Sequence, residues 1–376
     1  MKDMASVIHD QLAPCVKTLE KCGFIGVMKE NPRILEIKSS TPTLTDYSCG
    51  DRFKIAVPYA KQLIAWEILF NCCCPNKPPD IIFGPDDRNF HLDLHECQSL
   101  LSYDSSDRFA LRKFVVDVLK QYKEYHLSLA RQSAHIRTEY TTLLDSGFKQ
   151  EDIEIHVQQK KERFGNVNIL VKLEIDLENI PPYLIRENPG ENTAVLLITY
   201  QTPDSYKPSS QLFLSPRLQN ILGSANSMKI PIIQSRTHLI EYISQLITLL
   251  KNKVNQVISY HEKRVEYVSA FLAHYERSVI EYDAEKYTSI SFLFEWNDFF
   301  FIIHIEIALN FPLVKPTLTF QSVYHESNQQ KPFSVTIEHY PYSPRWSGIE
   351  MAERLRSYIL EYIAEFQKTS ITGGLI

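Results

Sequence analysis

Residues 296–324 read WNDFFFIIHIEIALNFPLVKPTLTFQSVY, and the rest of the chain is interpreted from this stretch. Residues 299–307 are rich in Phe and Ile and poor in turn-forming residues, which favours a buried strand over a helix. Pro312 and Pro316 interrupt the run, because proline has no backbone N–H to donate to a neighbouring strand. Residues 317–320 then begin another strand-forming run. The stretch therefore predicts two strands joined by a proline-containing bridge.

The same order of elements occurs twice more, in weaker form. The first copy has an apolar run, three prolines and a short strand, at residues 63–70, 75–79 and 80–83. The middle copy has an alternating run, a proline pair and an apolar run, at residues 167–175, 181–182 and 194–200. Each copy is later followed by a long helical stretch. We interpret the chain as one α+β unit used three times, with a period too long for a solenoid.

Apolar residues at helical spacing predict four helices, at residues 5–21, 111–146, 237–277 and 349–366. The second should be interrupted near Arg131, where polarity rises. The third contains no Pro or Gly and would be on the order of 60 Å long. Either it is a core helix whose far end frays, or it is a spacer or a partner-binding face. Gly147 ends the second helix, so we predict domains at residues 1–146, 147–277 and 278–376.

The bulk composition excludes several classes of protein. A 376-residue chain with 44% hydrophobic residues can form two or three globular domains. A net charge of −5 argues against a surface dominated by nucleic-acid binding. We find no apolar run long enough to span a membrane and no apolar segment typical of a signal peptide in MKDMASVIHD. All seven cysteines lie between Cys15 and Cys97, which indicates a reducing, intracellular compartment rather than a disulfide framework.

The order of meander, proline bridge, strand, irregular loop and C-terminal helix in the first and third copies resembles the ubiquitin-conjugating (E2-like) fold. In active members a cysteine after the fourth strand accepts ubiquitin as a thioester, beside an Asn of a His-Pro-Asn motif. Cys97 lies near that position, but no His-Pro-Asn precedes it. Asp93 and Glu96 should raise the pKa of its thiol, which opposes activation. The third copy has no cysteine, so both copies resemble inactive E2 variants and the middle one resembles the related RWD type.

Other candidate sites are incomplete. Cys72, Cys73 and Cys74 lack a second cysteine or histidine pair for zinc, so a buried strand end is the favoured interpretation. His91 and His95 lack a third metal ligand and are interpreted as solvated. The basic residues of the third helix, including Arg264, are interpreted as a solvated face. The metal-binding pattern of JAMM proteases, the phosphate-binding P-loop and the serine-hydrolase motif are missing from the sequence. We therefore predict no catalytic residue, no metal and no cofactor.

Five stretches carry a closer resemblance, to the family of brain and reproductive organ-expressed (BRE) proteins. They are DRFKIAVPYA, YHEKRVEYVSAFLAH, IEYDAE, KPTLTFQSVYH and YPYSPRW, at residues 51–60, 260–274, 280–285, 315–325 and 340–346. The resemblance implies tandem E2-like units: an E2 variant at each end and an RWD-like domain between, with long connecting helices. It also implies a non-catalytic subunit of the BRISC and BRCA-type deubiquitinase assemblies, which cleave 63-linked ubiquitin chains.

The partners implied by this resemblance are a JAMM metalloprotease, its Abraxas- or Abro-type MPN-minus scaffold and a MERIT-type adaptor with a von Willebrand A-like domain. The C-terminal E2 variant would receive the adaptor, and the expected location is both cytoplasm and nucleus. Polyubiquitin is a further expected partner, whereas nucleic acid and membrane are not. Two alternatives stay open, which are a ubiquitin-conjugating enzyme using Cys97 and a free ubiquitin-binding module.

Residues 340–346 form an aromatic, proline-containing loop that suits an extended peptide, because aromatic walls pack well against such segments. We predict that Tyr340, Tyr342 and Trp346 contribute to a partner-binding site. The competing interpretation is that Trp346 packs the final helix onto the sheet.

Overall fold

The computed structural model describes residues 8–39, 50–71, 73–159, 164–205, 207–234, 237–327 and 329–373. The described residues form thirteen strands: β1 (Arg33–Lys38), β2 (Arg52–Tyr59), β3 (Gln62–Leu69), β4 (Asp80–Ile82), β5 (Ile153–Gln159), β6 (Phe164–Glu174), β7 (Thr193–Tyr200), β8 (Ser209–Leu214), β9 (Val279–Tyr282), β10 (Ser289–Trp296), β11 (Phe299–Glu306), β12 (Thr317–Glu326) and β13 (Pro332–Ile337). They also form eight helices: α1 (Ala13–Cys22), α2 (Gln98–Leu101), α3 (Ala110–Ala130), α4 (Ala134–Asp145), α5 (Pro182–Glu187), α6 (Pro216–Leu222), α7 (Leu239–Tyr275) and α8 (Gly348–Gly373).

The strands make three antiparallel sheets, with the orders β1-β2-β3-β4, β5-β6-β7-β8 and β9-β10-β11-β12-β13. Neighbours in sequence are neighbours in each sheet, so each sheet is a meander. The predicted α+β class is confirmed. Each sheet lies within one of the three predicted domains, whose boundaries stay a prediction.

The first sheet packs one face against α1 and α3. Trp66 on β3 is fully buried, and Phe114 and Val118 on α3 belong to the same apolar cluster. The apolar residues of α3 recur every three or four positions and so face one side. Full burial of such side chains stabilises a fold by about 1.5–3 kcal/mol each, so this seam holds the sheet and the helix together.

The third sheet is covered on one face by the C-terminal part of α7 and by α8. Its cluster joins Phe271 of α7, Phe301 and Ile303 of β11, and Leu355 and Phe366 of α8. Thus residues 299–307 contribute alternate residues to a core, as the opening stretch predicts. The frayed far end considered for the third predicted helix is wrong, because Val268 and Phe271 near the end of α7 are fully buried.

The chain folds into two compact units. Unit 1 comprises Met1–Ile175, Asn192–Leu218 and Ser224–Leu249, and unit 2 comprises Asp176–Glu191, Gln219–Gly223 and Leu250–Ile376. Unit 1 contains the first two sheets and unit 2 contains the third. Among the described residues, no helix combines the length and apolar character needed to cross a membrane.

The predicted interruption near Arg131 is confirmed, because α3 ends at Ala130 and Ser133 caps α4 by accepting from the N–H of Ile136. The predicted start of the first helix is wrong within the described residues. Ile8 forms a bridge with Gly50, and α1 begins at Ala13 with Pro14 in its first turn. Proline has no N–H for an intrahelical bond, so it favours this position. Residues 1–7 lie outside the description.

Strands β8 and β13 and the short helices α2, α5 and α6 are not predicted from the sequence. The sequence TPDSYKPSSQ at residues 202–211 predicts a loop, but its last three residues belong to β8. Helix α5 begins at the second proline of the pair at residues 181–182. Pro182 is the first residue of α5, where a missing N–H costs nothing.

Candidate partner-binding surface

The loop at residues 338–347, between β13 and α8, contains all three predicted binding residues. The hydroxyls of Tyr340 and Tyr342 donate to the backbone carbonyls of Pro316 and Pro312. Burial raises the pKa of Tyr342 to about 12 and raises that of Tyr340 as well. Both hydroxyls therefore keep their protons at neutral pH and serve as donors. Together they fasten the loop to the bridge between β11 and β12.

Trp346 lies at the other end of the loop. Its half-buried ring packs against the core cluster of unit 2, and the guanidinium of Arg354 on α8 lies 4.1 Å from the ring centroid. Such a cation–π contact at a partly exposed site contributes about 0.5–1 kcal/mol. This geometry agrees with the competing interpretation, in which Trp346 packs α8 onto the sheet. Its role in binding stays a prediction.

The bridge at residues 308–316, which we call bridge 3, is unusually apolar for an exposed segment. Leu309, Leu313 and Val314 are 60%, 66% and 46% exposed. The Lys315 ammonium donates to the carbonyl of Glu338 and lies 5.3 Å from the centroid of the Tyr340 ring. Bridge 3 and the loop at residues 338–347 therefore form one continuous area, which we call the bridge–loop surface. Neighbouring exposed apolar residues of this kind are typical of a docking surface.

Leu313 and Val314 were missed as candidate binding residues. A signal was present in the sequence, because they lie between two prolines that keep this segment out of the sheet. Apolar residues that cannot pair in a sheet need either a core or a partner to cover them. Only the structure shows that they are exposed.

The side chain of Arg264 on α7 holds bridge 3 in place through a hydrogen bond. The guanidinium donates to the carbonyls of Leu309 at 2.5 Å and Lys286 at 2.8 Å, and to the Tyr183 hydroxyl at 3.1 Å. Its side chain is among the largest fully buried ones, and burial lowers its pKa. The interpretation of Arg264 as part of a solvated face is therefore wrong. A buried guanidinium persists because its five N–H donors can satisfy several acceptors at once.

Cys97 is fully buried and follows a short 3-10 turn at Leu94–Glu96. The Gln121 side-chain amide lies 3.5 Å from its sulfur. Burial raises the thiol pKa, and the charges of Asp117, Asp93 and Glu96 raise it further. The predicted direction is confirmed, although burial contributes more than the neighbouring carboxylates. A protonated, inaccessible thiol is a poor nucleophile.

The remaining sequence candidates do not assemble into a metal site. In the part of the chain that the structure describes, no group of three or more His, Cys, Asp or Glu side chains could hold a metal ion. His91 and His95 are exposed, as predicted. The prediction of a buried strand end is wrong for Cys73, which is exposed in a turn after β3. Cys72 lies outside the described residues. The turn forms because the Cys74 N–H donates to the carbonyl of Asn71 beyond the last residue of β3.

Comparisons with known proteins agree over nearly the whole chain. The family described as Brain and reproductive organ-expressed protein (BRE) matches residues 6–326. A protein of Branchiostoma floridae named "BRISC and BRCA1-A complex member 2" is 37% identical over 373 residues, covering 98% of this chain and 97% of that protein. A protein of Danio rerio with the same name is 36% identical over 375 residues, with the same coverage. The chain therefore belongs to the brain and reproductive organ-expressed (BRE) protein family.

Proposed function

We propose that this chain is a non-catalytic scaffold subunit of a deubiquitinase complex that acts on 63-linked polyubiquitin. The observation that carries the proposal is the match, along 98% of the chain, to relatives named as members of the BRISC and BRCA1-A complexes. The match also covers 97% of each relative's length. A shared scaffold role needs this kind of full-length correspondence, because its surfaces are spread over the chain.

The scaffold would consist of tandem E2-like units: an E2 variant, an RWD-like domain and a second E2 variant. The three antiparallel sheets with their covering helices support this architecture. The state of Cys97 supports a non-catalytic role, because a buried thiol with a raised pKa does not form a thioester readily. The proposed partners are a JAMM metalloprotease, its MPN-minus scaffold of the Abraxas or Abro type, and a MERIT-type adaptor.

We assign the adaptor to the bridge–loop surface of unit 2. Exposed Leu313 and Val314 offer apolar area, and the half-buried rings of Tyr340, Tyr342 and Trp346 flank it. The two tyrosine hydroxyls hold the loop on the bridge before any partner arrives. A surface organised in advance binds more tightly, because less conformational entropy is lost on association.

A tagged pull-down from the native cell, with subunits identified by mass spectrometry, tests the proposal. The wild-type chain should return a JAMM metalloprotease, an MPN-minus partner and a von Willebrand A-like protein together. Leu313→Asp should reduce recovery of the von Willebrand A-like protein at least about tenfold, because burying an unpaired carboxylate in an apolar contact is costly. The matched control is Leu360→Asp, at an α8 residue that is 52% exposed, which should leave recovery unchanged.

Two results would count against the proposal. If ubiquitin or its activating enzyme returns without the three partners, the scaffold role is wrong and Cys97 becomes the residue to study. If all three partners return with Leu313→Asp, the scaffold role stands but the adaptor binds elsewhere. We also expect the complex in both cytoplasm and nucleus, which fractionation followed by the same pull-down would measure.

A further inference from the structure

The third sheet has two faces with different surroundings. Side chains alternate between the two faces along each strand. On β11, Phe301 and Ile303 belong to the core cluster with α7 and α8, so Phe300, Ile302 and His304 lie on the opposite face. We call this opposite face the open face. Residues directly opposite each other on antiparallel strands share a face, so the strand register identifies its other members.

The open face has an apolar centre. Leu293 of β10 pairs with Ile302, which lies two positions from Phe300 along β11. The register of β12 places Val323 beside Phe300. Leu293 and Val323 are 41% and 51% exposed, and Ile302 and Phe300 are half-buried. These side chains span three strands about 4.8 Å apart, so the apolar centre is about as wide as one helix.

A polar row next to the apolar centre fixes the strands of the open face relative to one another. The His304 Nδ1 lies 2.9 Å from the Ser291 hydroxyl oxygen, and its Nε2 lies 3.3 Å from the Gln321 Oε1. These three side chains come from β10, β11 and β12, so the row crosses the middle of the sheet. A surface organised in this way loses little conformational freedom when a partner binds.

The charges of the open face have one sign. The five strands of the third sheet contain neither lysine nor arginine, and their charged residues are Glu281, Glu295, Glu306 and Glu326. The register places the first three on the open face, and all three side chains are exposed. Glu295 pairs with Phe300, so one carboxylate lies directly beside the apolar centre. The open face is therefore an apolar patch with an acidic border.

The first sheet shows the contrast. Its face away from α1 and α3 carries both signs of charge, and these charges pair with each other. A side-chain nitrogen of Arg52 lies 3.0 Å from a carboxylate oxygen of Glu67, and the same distance between Lys38 and Glu36 is 3.2 Å. The strands of the third sheet have no lysine or arginine to pair in this way. A complementary positive charge for the open face therefore comes from outside the sheet, which favours a basic partner.

The acidic border and the width of the apolar centre restrict the kind of partner. Nucleic acid and anionic lipid would be repelled by the carboxylates. An extended peptide would pair with a sheet edge, because its backbone groups need hydrogen bonds. A helix satisfies its own backbone, and α8 already covers the other face of this sheet with apolar residues at helical spacing. We propose that the open face is a docking surface for a basic amphipathic helix of a partner protein.

The open face is separate from the bridge–loop surface. Bridge 3 follows the last residues of β11 and ends where β12 begins at Thr317. Phe300 and Val323 lie near the opposite ends of these two strands. A helix bound to the open face therefore leaves bridge 3 accessible to the adaptor.

The test uses the full chain with ¹³C-labelled methyl groups of Ile, Leu and Val. The probe is a leucine–lysine peptide patterned as an amphipathic helix of about four turns, and its control is a scrambled peptide of the same composition. The probe should shift the methyl resonances of Leu293, Ile302 and Val323 saturably. The scrambled peptide should bind at least about tenfold more weakly, because its leucines do not share one face.

Charge reversal on the two sides of the sheet tests the acidic border. Glu281→Lys combined with Glu295→Lys should weaken binding of the probe at least about tenfold, because two attractive charges become repulsive. The matched control combines Glu353→Lys with Glu361→Lys, at exposed positions of α8. This control changes the net charge of the chain equally and should bind the probe like the wild-type chain.

Four results would overturn the proposal. They are the lack of a saturable shift, equal binding of the two peptides, equal weakening by the two pairs of substitutions, and shifts at Leu313 and Val314 in place of the open face. It is also overturned if the methyl resonances of the open face shift with protein concentration alone, because a second copy of the chain then covers this face. The wild-type comparison of the two peptides decides the proposal even if a lysine variant fails to fold.

Discussion

Two bridges with the same sequence signature, a proline-containing run between two strands, differ in the polarity of their exposed residues. Bridge 1, residues 70–79 between β3 and β4, is polar, with Asn71, Asn76 and Lys77 exposed. Bridge 3 presents exposed Leu313 and Val314 instead. Both join two strands by a run containing prolines. The signature therefore predicts only that two strands are connected, and it does not predict the polarity of the connecting segment. What lies between the prolines decides whether the connection is a solvated turn or an apolar surface.

The two bridges are also held differently. Both bridges have backbone hydrogen bonds within the segment, such as Cys74 N–H to Asn71 in bridge 1 and Leu313 N–H to Asn310 in bridge 3. Bridge 3 also receives hydrogen bonds from side chains outside the segment, those of Arg264, Tyr340 and Tyr342. A surface that binds a partner benefits from such support, because a supported backbone loses less freedom on binding. We therefore expect substitutions around the two bridges to have different effects.

The largest effect is expected from removing the support of bridge 3. Arg264→Ala should lower the free energy of unfolding by about 3 kcal/mol or more, because it leaves two carbonyls and one hydroxyl without their buried donor. Urea unfolding of the full chain measures this change. Lys263→Ala is the control, and it should cost less than about 1 kcal/mol because its ion pair with Glu266 is on the surface. Equal effects of the two substitutions would contradict the role of Arg264.

The unit that contains bridge 1 should lose stability in mild acid. Burial, together with the neighbouring His156, lowers the His126 pKa to about 2 in the folded chain, whereas an unfolded histidine titrates near its ordinary value of about 6.5. The unfolded state therefore binds a proton first, and this contribution to stability is complete above about pH 6.5 and is lost as the pH falls below it. From pH 7.5 to pH 5 the loss should be about 2 kcal/mol.

Urea unfolding at several pH values measures the slope. In His126→Phe the part of the slope due to this residue should disappear, whereas His135→Phe should retain it. A wild-type slope that is unchanged by His126→Phe would show that other groups carry the acid sensitivity.

Trp346→Ala tests two roles of this residue, which are packing α8 onto the sheet and binding a partner on the bridge–loop surface. It should lower stability by about 2 kcal/mol through lost packing and the lost contact with Arg354. It should also weaken adaptor binding about tenfold if the predicted binding role is right. Melting temperature and a binding titration on the same preparation separate the two effects. Arg354→Ala, which keeps the ring, should affect binding less. Reduced stability with unchanged binding would leave Trp346 as a packing residue only.

A smaller effect is expected from one hydroxyl. Tyr342→Phe removes the donor to Pro312 and should cost about 1 kcal/mol. It should weaken adaptor binding only a few-fold, because the ring stays in place. The control is Tyr282→Phe on β9, whose exposed side chain should leave both quantities unchanged. A Tyr342→Phe variant as stable as the wild type would show that the loop does not depend on this bond.

The smallest effect is expected at Cys97. Incubation with ubiquitin and its activating enzyme, followed by a non-reducing gel, should show no reducible adduct on the wild-type chain. Cys97→Ala should look the same and should return the same partners in the pull-down. An adduct that appears on the wild type and vanishes in Cys97→Ala would instead establish a conjugating activity.

The strand that the sequence predicts most directly, β11, alternates buried and half-buried residues. Its bounds differ by one residue from the predicted 299–307. The missed strands, β8 and β13, are edge strands of their sheets. In β13 the residues before Ile337 are all exposed or half-buried, so the apolar signal is weak. Such a strand forms because a partner strand already offers its hydrogen bonds, which local sequence does not encode.

The candidate surface also has one part that the sequence predicts and another that only the structure shows. The aromatic, proline-rich composition of residues 340–346 indicated a binding loop from the sequence alone. That the tyrosine hydroxyls reach Pro312 and Pro316 could not be predicted, because those contacts span 30 and 24 residues. Arg264 was misinterpreted for a similar reason. Glu262 and Lys263, which precede it on the helix, are exposed, and its three acceptors come from other segments.

By itself the sequence determined the α+β class, the repeated order of strand, proline bridge and strand, the long helices and the family. Those features follow from the spacing of apolar residues and from the missing N–H of proline, which act within a few residues. The tertiary structure alone decided which polar side chains are buried, such as Arg264 and His126, and which apolar ones are exposed, such as Leu313. Burial depends on which distant segments meet, and that is a property of the packed chain rather than of any one stretch.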